Sequence, residues 1–147
     1  MVIYENGKRV VSRGITFIEN CVLLIERYKK EGDELLHYFT IPGGGVEEGE
    51  SFIEAAIRET EEETTVKTKL VKFLTKEDYG SGICYWHYLE YICGTPTLGG
   101  EEKERNHPYN SYKVVLIDMN DINNVNILGI GKQLIKECYL EYKTKIY

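Results

Sequence analysis

Glu59, Glu62 and Glu63 fall at i, i+3 and i+4 inside the segment GGGVEEGESFIEAAIRETEEETTV, residues 43–66. On a helix those positions share one face. Three carboxylates there repel one another, and they stand near the negative pole of the helix, where anions are disfavoured. A bound divalent cation removes the conflict, because a hard ion such as magnesium takes oxygen ligands and inverts the local electrostatics. The chemistry on offer is therefore metal-assisted and directed at an anionic, oxygen-rich substrate.

The surrounding elements have to present that face. Ser51 with Glu54 three residues on is a capping box, so the helix opens at Ser51 and runs to about Thr64. Its apolar residues, Phe52, Ile53, Ala55, Ala56 and Ile57, crowd into the first turns and place its packing there. Strands are expected at Val10–Ile18, Val22–Tyr28 and Leu35–Ile41, the last ended by Pro42 and three glycines. Val66–Leu74 is strand-like, and Gly82–Cys93 is apolar on both alternating faces, as a central strand is. A polar loop spans Gly94–Asn110, long enough to suggest function. Tyr112–Ile117 is a further strand. Ile130–Tyr142 closes the chain as an amphipathic helix, with Ile130, Leu134, Ile135, Cys138 and Tyr142 on one side. Strands mixed with two helices give an α/β (α+β) class, a sheet covered on both faces.

The spacing resembles the Nudix box, G-x5-E-x7-R-E-U-x-E-E-x-G-U with U a bulky apolar residue. Gly44, Glu50, Arg58, Glu59, Glu62, Glu63 and Val66 match it, and Pro42-Gly43 fits the approach usual in that family. Two positions depart: Thr60 stands where an apolar residue is expected, and Thr65 replaces the last glycine. A β-branched residue disfavours positive φ, so the turn after the helix is expected to be built differently. The resemblance implies a Nudix-type α/β/α sandwich, a mixed sheet between helices, filling 1–147 as one domain.

The resemblance also implies an activity: a metal-dependent hydrolase that cleaves the diphosphate linkage of a nucleoside diphosphate derivative by water attack at phosphorus. Mg2+ or Mn2+ would offset the charge on the phosphate oxygens and acidify water. Carried over residue by residue, the metal ligands are Glu59, Glu62, Glu63 and the Gly43 carbonyl. Glu59 is the first choice for taking the proton from water and Glu62 the second. Arg58 holds the carboxylates in place, and Glu50 stabilises the loop–helix arrangement. One more carboxylate is expected from the late loop, which offers Glu101, Glu102 and Glu104; Glu101, directly after Gly99-Gly100, is favoured. Arg27 and Gly44 are expected to face the substrate, the arginine reaching phosphates. His87 reads as a core histidine. Core packing is the first expectation for Tyr38, Tyr85 and Trp86, with stacking on a base the alternative.

Composition narrows the partners. With 147 residues, 42% hydrophobic and 29% charged, the chain has the make-up of a globular protein. A net charge of −6 argues against a duplex nucleic acid partner and against RNA ends. The substrate is expected to be a small nucleotide. No apolar run reaches the ~18 residues of a membrane span. Cys21, Cys84, Cys93 and Cys138 lack zinc-site spacing and read as free thiols, mostly buried. The cytoplasm is the default location, and a homodimer is open.

The competing function is a Nudix-fold module that binds or senses a nucleotide-linked ligand without cleaving it. Such a module would be expected to lose box carboxylates, and this chain keeps all three. Substrate choice is not encoded in the box. The proline typical of many ADP-ribose hydrolases, some sixteen positions after it, is replaced here by the stretch Ser81-Gly82-Ile83. Nucleoside triphosphates and nucleotide sugars such as ADP-ribose both stay open.

Overall fold

A computed structural model describes residues 1–145, without the side chains of Glu101, Glu102 and Glu104. In chain order the elements are β1 (Tyr4–Glu5), β2 (Lys8–Ile18), β3 (Cys21–Glu31), β4 (Glu34–Thr40), β5 (Gly43–Gly45) and α1 (Phe52–Thr64). There follow β6 (Lys67–Asp78), β7 (Gly82–Cys93), α2 (Gly100–Arg105), β8 (Asn110–Asp118), a 3-10 turn at Met119–Asn124 and α3 (Gly131–Thr144). The expected strands and both helices are present. Added to them are β1, the three-residue β5, the 3-10 turn, and α2 inside the segment read as loop.

The strands form a mixed sheet. β2 and β7 run parallel from Arg9↔Gly82 to Phe17↔Glu90, β6 pairs antiparallel with β7, and β5 lies antiparallel on β2. β2 and β3 meet only at Phe17↔Val22 and Ile18↔Cys21. Beyond that hairpin they splay, and β3 takes β4 and β8 as its neighbours. β7 thus lies between two strands, and packing on both sides of the sheet, Trp86 and Tyr88 on one and Tyr85 on the other, accounts for its two apolar faces.

Alternation along β2 assigns the helices to opposite faces. Val10 packs with Val46 and Ala55 under α1. Val11, Ile15 and Phe17 point the other way, into the main core with Trp86, Leu134, Ile135 and Cys138 under α3. This is the mixed sheet between helices that the sequence implied.

The packing of α1 differs from expectation. Its buried set is Ala55, Ala56, Thr60, Glu63 and Thr64, so contact continues into the last turns, while Ile53 is exposed. Polar residues can be buried there because their groups are satisfied. Thr60 Oγ1 donates to Ala56 O at 2.7 Å, and Thr64 Oγ1 to Thr60 O at 2.6 Å. Returning a hydroxyl to the i−4 carbonyl removes the cost of burying it. Thr60 therefore serves at a position where an apolar residue was expected.

The turn after α1 overturns a second expectation. Thr65 adopts φ 62°, the left-handed cap a glycine would take, and its N–H donates to Glu61 O at 2.8 Å. The strained conformation is held by its hydroxyl, which donates to Thr95 O at 2.6 Å. The four cysteines are free; Cys84 and Cys138 are buried, Cys21 is partly so and Cys93 is exposed. No helix among the described residues is long and apolar enough to cross a membrane.

Candidate active site

The box is built by docking a three-glycine strand against α1. Strand β5 is pinned by Gly43↔Arg13, Gly44↔Ser12 and Gly45↔Val11 pairing. Each glycine then meets one charged residue of the helix. Gly43 N–H donates to Glu63 Oε1 at 2.8 Å. Gly44 lies under the Glu59 carboxylate, so closely that a Cβ would stand 2.6 Å from its Cδ. Gly45 O accepts from Arg58 Nη2 at 3.1 Å. Only glycine at 44 leaves room for that carboxylate.

Arg58 is the hub. It forks onto Glu50, Nε to Oε2 at 2.6 Å and Nη2 to Oε1 at 2.9 Å. Its Nη1 reaches both Glu59 Oε1 and Glu62 Oε2 at 3.1 Å. The planar guanidinium suits this because it presents several donors in fixed directions. The Arg58 bonds hold the Glu50 carboxyl below the usual carboxylate range, and Glu50 in return strengthens the hold of Arg58 on its proton. Glu50 also accepts from Glu47 N at 3.0 Å, which ties the turn before the helix to the hub.

The segment after β7 closes the far end of α1. Thr97 N–H donates to Thr64 O and Gly99 N–H to Glu63 O, both at 2.9 Å. Terminal helix carbonyls need such donors. This brings Gly100, the first residue of α2, to the rim of the glutamate cleft. The side chains of Glu101, Glu102 and Glu104 lie outside the described residues.

The cleft has a volume of about 740 Å3. Glu59 and Glu62 form its acidic wall, and Arg9, Arg13 and Arg105 also border it. The sequence reading missed these three arginines. Arg13 carried a signal, a charge in the middle of β2 between the apolar pairs Val10-Val11 and Phe17-Ile18. Arg27 is placed elsewhere, on β3. Its guanidinium lies 3.7 Å from the centre of the Tyr112 ring and donates to Asn110 Oδ1 and to Ser111 O. The structure therefore brings together Gly43, Gly44, Glu50, Arg58, Glu59, Glu62 and Glu63, and holds Arg27 in contacts of its own.

The other aromatic candidates are packed. Tyr85 stacks on Phe52 and donates to Glu5 Oε1 at 2.6 Å. His87 is buried, with Nδ1 3.2 Å from Ser12 Oγ, and burial pushes its pKa down. Trp86 is nearly buried, and its indole N–H donates to Glu77 Oε1 at 3.1 Å.

The carboxylates of α1 and the Gly43 carbonyl are hard oxygen donors of the kind magnesium or manganese takes. Among the described residues no three acidic, histidine or cysteine groups are drawn into a closed cluster; Arg58 supplies the positive charge between Glu59 and Glu62. The donor chemistry fits a divalent ion, with Glu59 and Glu63 already turned onto the Gly43–Gly44 backbone.

Residues 8–121 match the NUDIX domain. The chain belongs to the Nudix family. It is an enzyme of the Nudix pyrophosphohydrolase type, acting on phosphoanhydrides. It is similar to the ADP-ribose pyrophosphatase of Methanocaldococcus jannaschii, at 28% identity over 89% of this chain and 72% of that protein. Its fold resembles that of a Nudix-family hydrolase from Clostridium perfringens, with a TM-score of 0.66, 15% identity and coverage of 88% and 94% of the two chains. It also resembles the ORF135 protein of E. coli, with a TM-score of 0.60, 18% identity and coverage of 86% and 85%.

Proposed function

We propose that this Nudix enzyme hydrolyses the diphosphate linkage of a nucleoside diphosphate derivative with the help of Mg2+ or Mn2+. The observation that carries the reading is the docking of Gly43–Gly45 onto α1, which sets Glu59 and Glu63 against one stretch of backbone. Arginines border the same cleft. Glu59, Glu62, Glu63 and the Gly43 carbonyl would hold the ion, with a carboxylate from 101–104 a further candidate. When bound, the ion supplies charge neutralisation at the phosphate oxygens and makes water more acidic.

The chain's own residues do the rest. Arg9 and Arg13 meet the diphosphate oxygens with charge-assisted bonds. Gly44 lets the substrate approach the backbone. Water forms a new bond to phosphorus, the bridging P–O bond breaks, and Glu59 accepts the proton released by the water. Glu62 is the alternative acceptor. Arg58 acts as a positioning residue: its fork to Glu50 fixes where Glu59 and Glu62 stand. Arg27 is a second candidate for phosphate contact, at the β3–β8 edge.

ADP-ribose is the first substrate to test, because the curated relative is named for it. The missing proline after the box keeps nucleoside triphosphates in view. A panel of ADP-ribose, other nucleotide sugars, dinucleoside polyphosphates and nucleoside triphosphates, with magnesium and product identification, tests the reading. Cleavage at a phosphoanhydride of at least one member, lost on chelation, is expected. No cleavage of any member with either ion would overturn it.

A further inference from the structure

Two hollows open on opposite faces of the sheet. One, of about 290 Å3 on the α3 face, adjoins the glutamate cleft and is walled by Arg13, Phe39, Glu77, Trp86 and the Ile127–Gly129 loop. The other, of about 340 Å3, lies on the α1 face, and no residue of the cleft lines it. Its walls are Phe52 and Ile53 from the first turn of α1, Phe73 from β6, and Tyr85 and His87 from β7, with Ser51 completing the lining. That volume falls in the roughly 300–1,000 Å3 range of small-ligand sites. Aromatic rings shape it: Tyr85 is stacked on Phe52 with centroids 3.7 Å apart, and Phe73 stands edge-on to His87 at 5.6 Å. Such walls suit a flat ring. No Asp, Glu, Lys or Arg lines the hollow among the described residues, so they suit an uncharged one.

One polar atom is left to face this apolar space. His87 is 1% exposed, and the groups around its Nδ1 fix its tautomer. Ser12 Oγ donates its proton to Phe52 O at 2.6 Å, so it accepts from His87 Nδ1 at 3.2 Å. The Arg13 carbonyl, 3.3 Å from Nδ1, only accepts. Nδ1 therefore carries the proton. Burial keeps the ring neutral, which leaves a lone pair on Nε2. No described residue donates to it. A buried acceptor without a donor is destabilising. Water is a poor remedy, because a buried water needs about two to four polar partners. Ser51 is engaged in its capping box and the Tyr85 hydroxyl on Glu5.

Phe73 is half-exposed on β6, an edge strand, where another chain could also lie. β6 carries Lys67, Lys69, Lys72 and Lys76, and lysines on an edge oppose strand pairing. A small molecule is the better occupant. We infer that this pocket is a ligand site separate from the glutamate cleft, taking a neutral planar ring that bears an N–H or O–H donor for His87 Nε2.

The probes are indole and N-methylindole, which share the same rings and differ in the donor. Each is titrated into protein carrying isotope-labelled histidine and tryptophan and followed by nuclear magnetic resonance. Indole should move the His87 Nε2 resonance and bind about fivefold or more tighter than N-methylindole. His87→Asn offers an N–H to Ser12 and the Arg13 carbonyl but removes Nε2, and should bring the two probes to within about twofold. Phe73→Ala alters a half-exposed wall and guards against a folding defect; it should weaken both probes and keep the preference. Equal binding of the two probes to the unaltered protein overturns the inference, as does a failure of both to bind. So does a preference that survives in His87→Asn, or indole binding that shifts the Trp86 N–H and leaves His87 unmoved. Neither probe carries phosphate, so these outcomes leave the hydrolase reading untouched.

Discussion

The glutamate cleft and the Trp86 cavity share a wall at Arg13 and differ in almost everything else. The cleft draws its carboxylates and Arg58 from one continuous stretch, residues 43–63, held in register by local devices: a capping box, a three-residue strand and the Arg58 fork. The cavity is assembled from separate segments between Arg13 and Gly129 and has no local motif. Reactive chemistry needs a few groups fixed within a fraction of an ångström, which a single helix and its entering loop can supply. Recognition needs a shaped, largely apolar hollow, which only packing between distant elements provides. The catalytic apparatus can then stay constant while the pocket beside it changes.

The largest effect expected on the cleft side is from the carboxylates. Glu59→Gln or Glu63→Gln should lower kcat by about 10²–10⁴-fold, in the range for loss of an acid–base group, with the unfolding transition intact by circular dichroism. A fall in KM alone would break the assignment. Arg13→Ala stands on the shared wall and should raise KM by about 10- to 100-fold, the worth of one charge-assisted bond. If it alters kcat alone, Arg13 does not hold substrate. Arg58→Lys separates positioning from charge. It keeps the positive charge and loses the fork, so it should lower stability by about 1–3 kcal/mol and reduce kcat more than it changes KM. Urea denaturation and steady-state kinetics together check this.

Two smaller effects concern the frame. The folded-state pKa of His87 is lowered by burial. Its neutral form is favoured by folding, so its contribution is whole above the unfolded value of about 6.5 and is lost as pH falls below it. The folded pKa of Glu50 is lowered by Arg58, so its contribution is lost later, as pH falls below about 4.5. Thermal unfolding midpoints should therefore decline in two stages on the acid side, and His87→Asn should flatten the first. Thr65→Ala removes the bond to Thr95 while keeping the left-handed cap, and should cost about 1 kcal/mol by the same urea measurement.

Much of the first region was legible in the sequence because its signals are short-range. Ser51 and Glu54 announce a helix start, and the spacing of Glu59, Glu62 and Glu63 announces a shared face. The Thr60 and Thr65 substitutions were visible, but the hydroxyl bonds that accommodate them were not, since those depend on where Ala56 O and Thr95 O come to rest. Arg13 and Glu77 escaped for a related reason. Each is an ordinary charge on a strand until the parallel pairing of β2 with β7, and the antiparallel pairing of β7 with β6, puts them on one wall. A strand's alternation reveals which residues share a face, but not what faces them.

Hydrolysis followed against magnesium concentration, for the unaltered enzyme and for Glu63→Gln side by side on ADP-ribose and the other panel substrates, puts the central claim at risk most directly. The account predicts turnover that rises with the ion, vanishes on chelation, and in the variant is lower by about 10²-fold or more. Full turnover in the presence of chelator, or a Glu63→Gln rate equal to that of the unaltered enzyme, would contradict it.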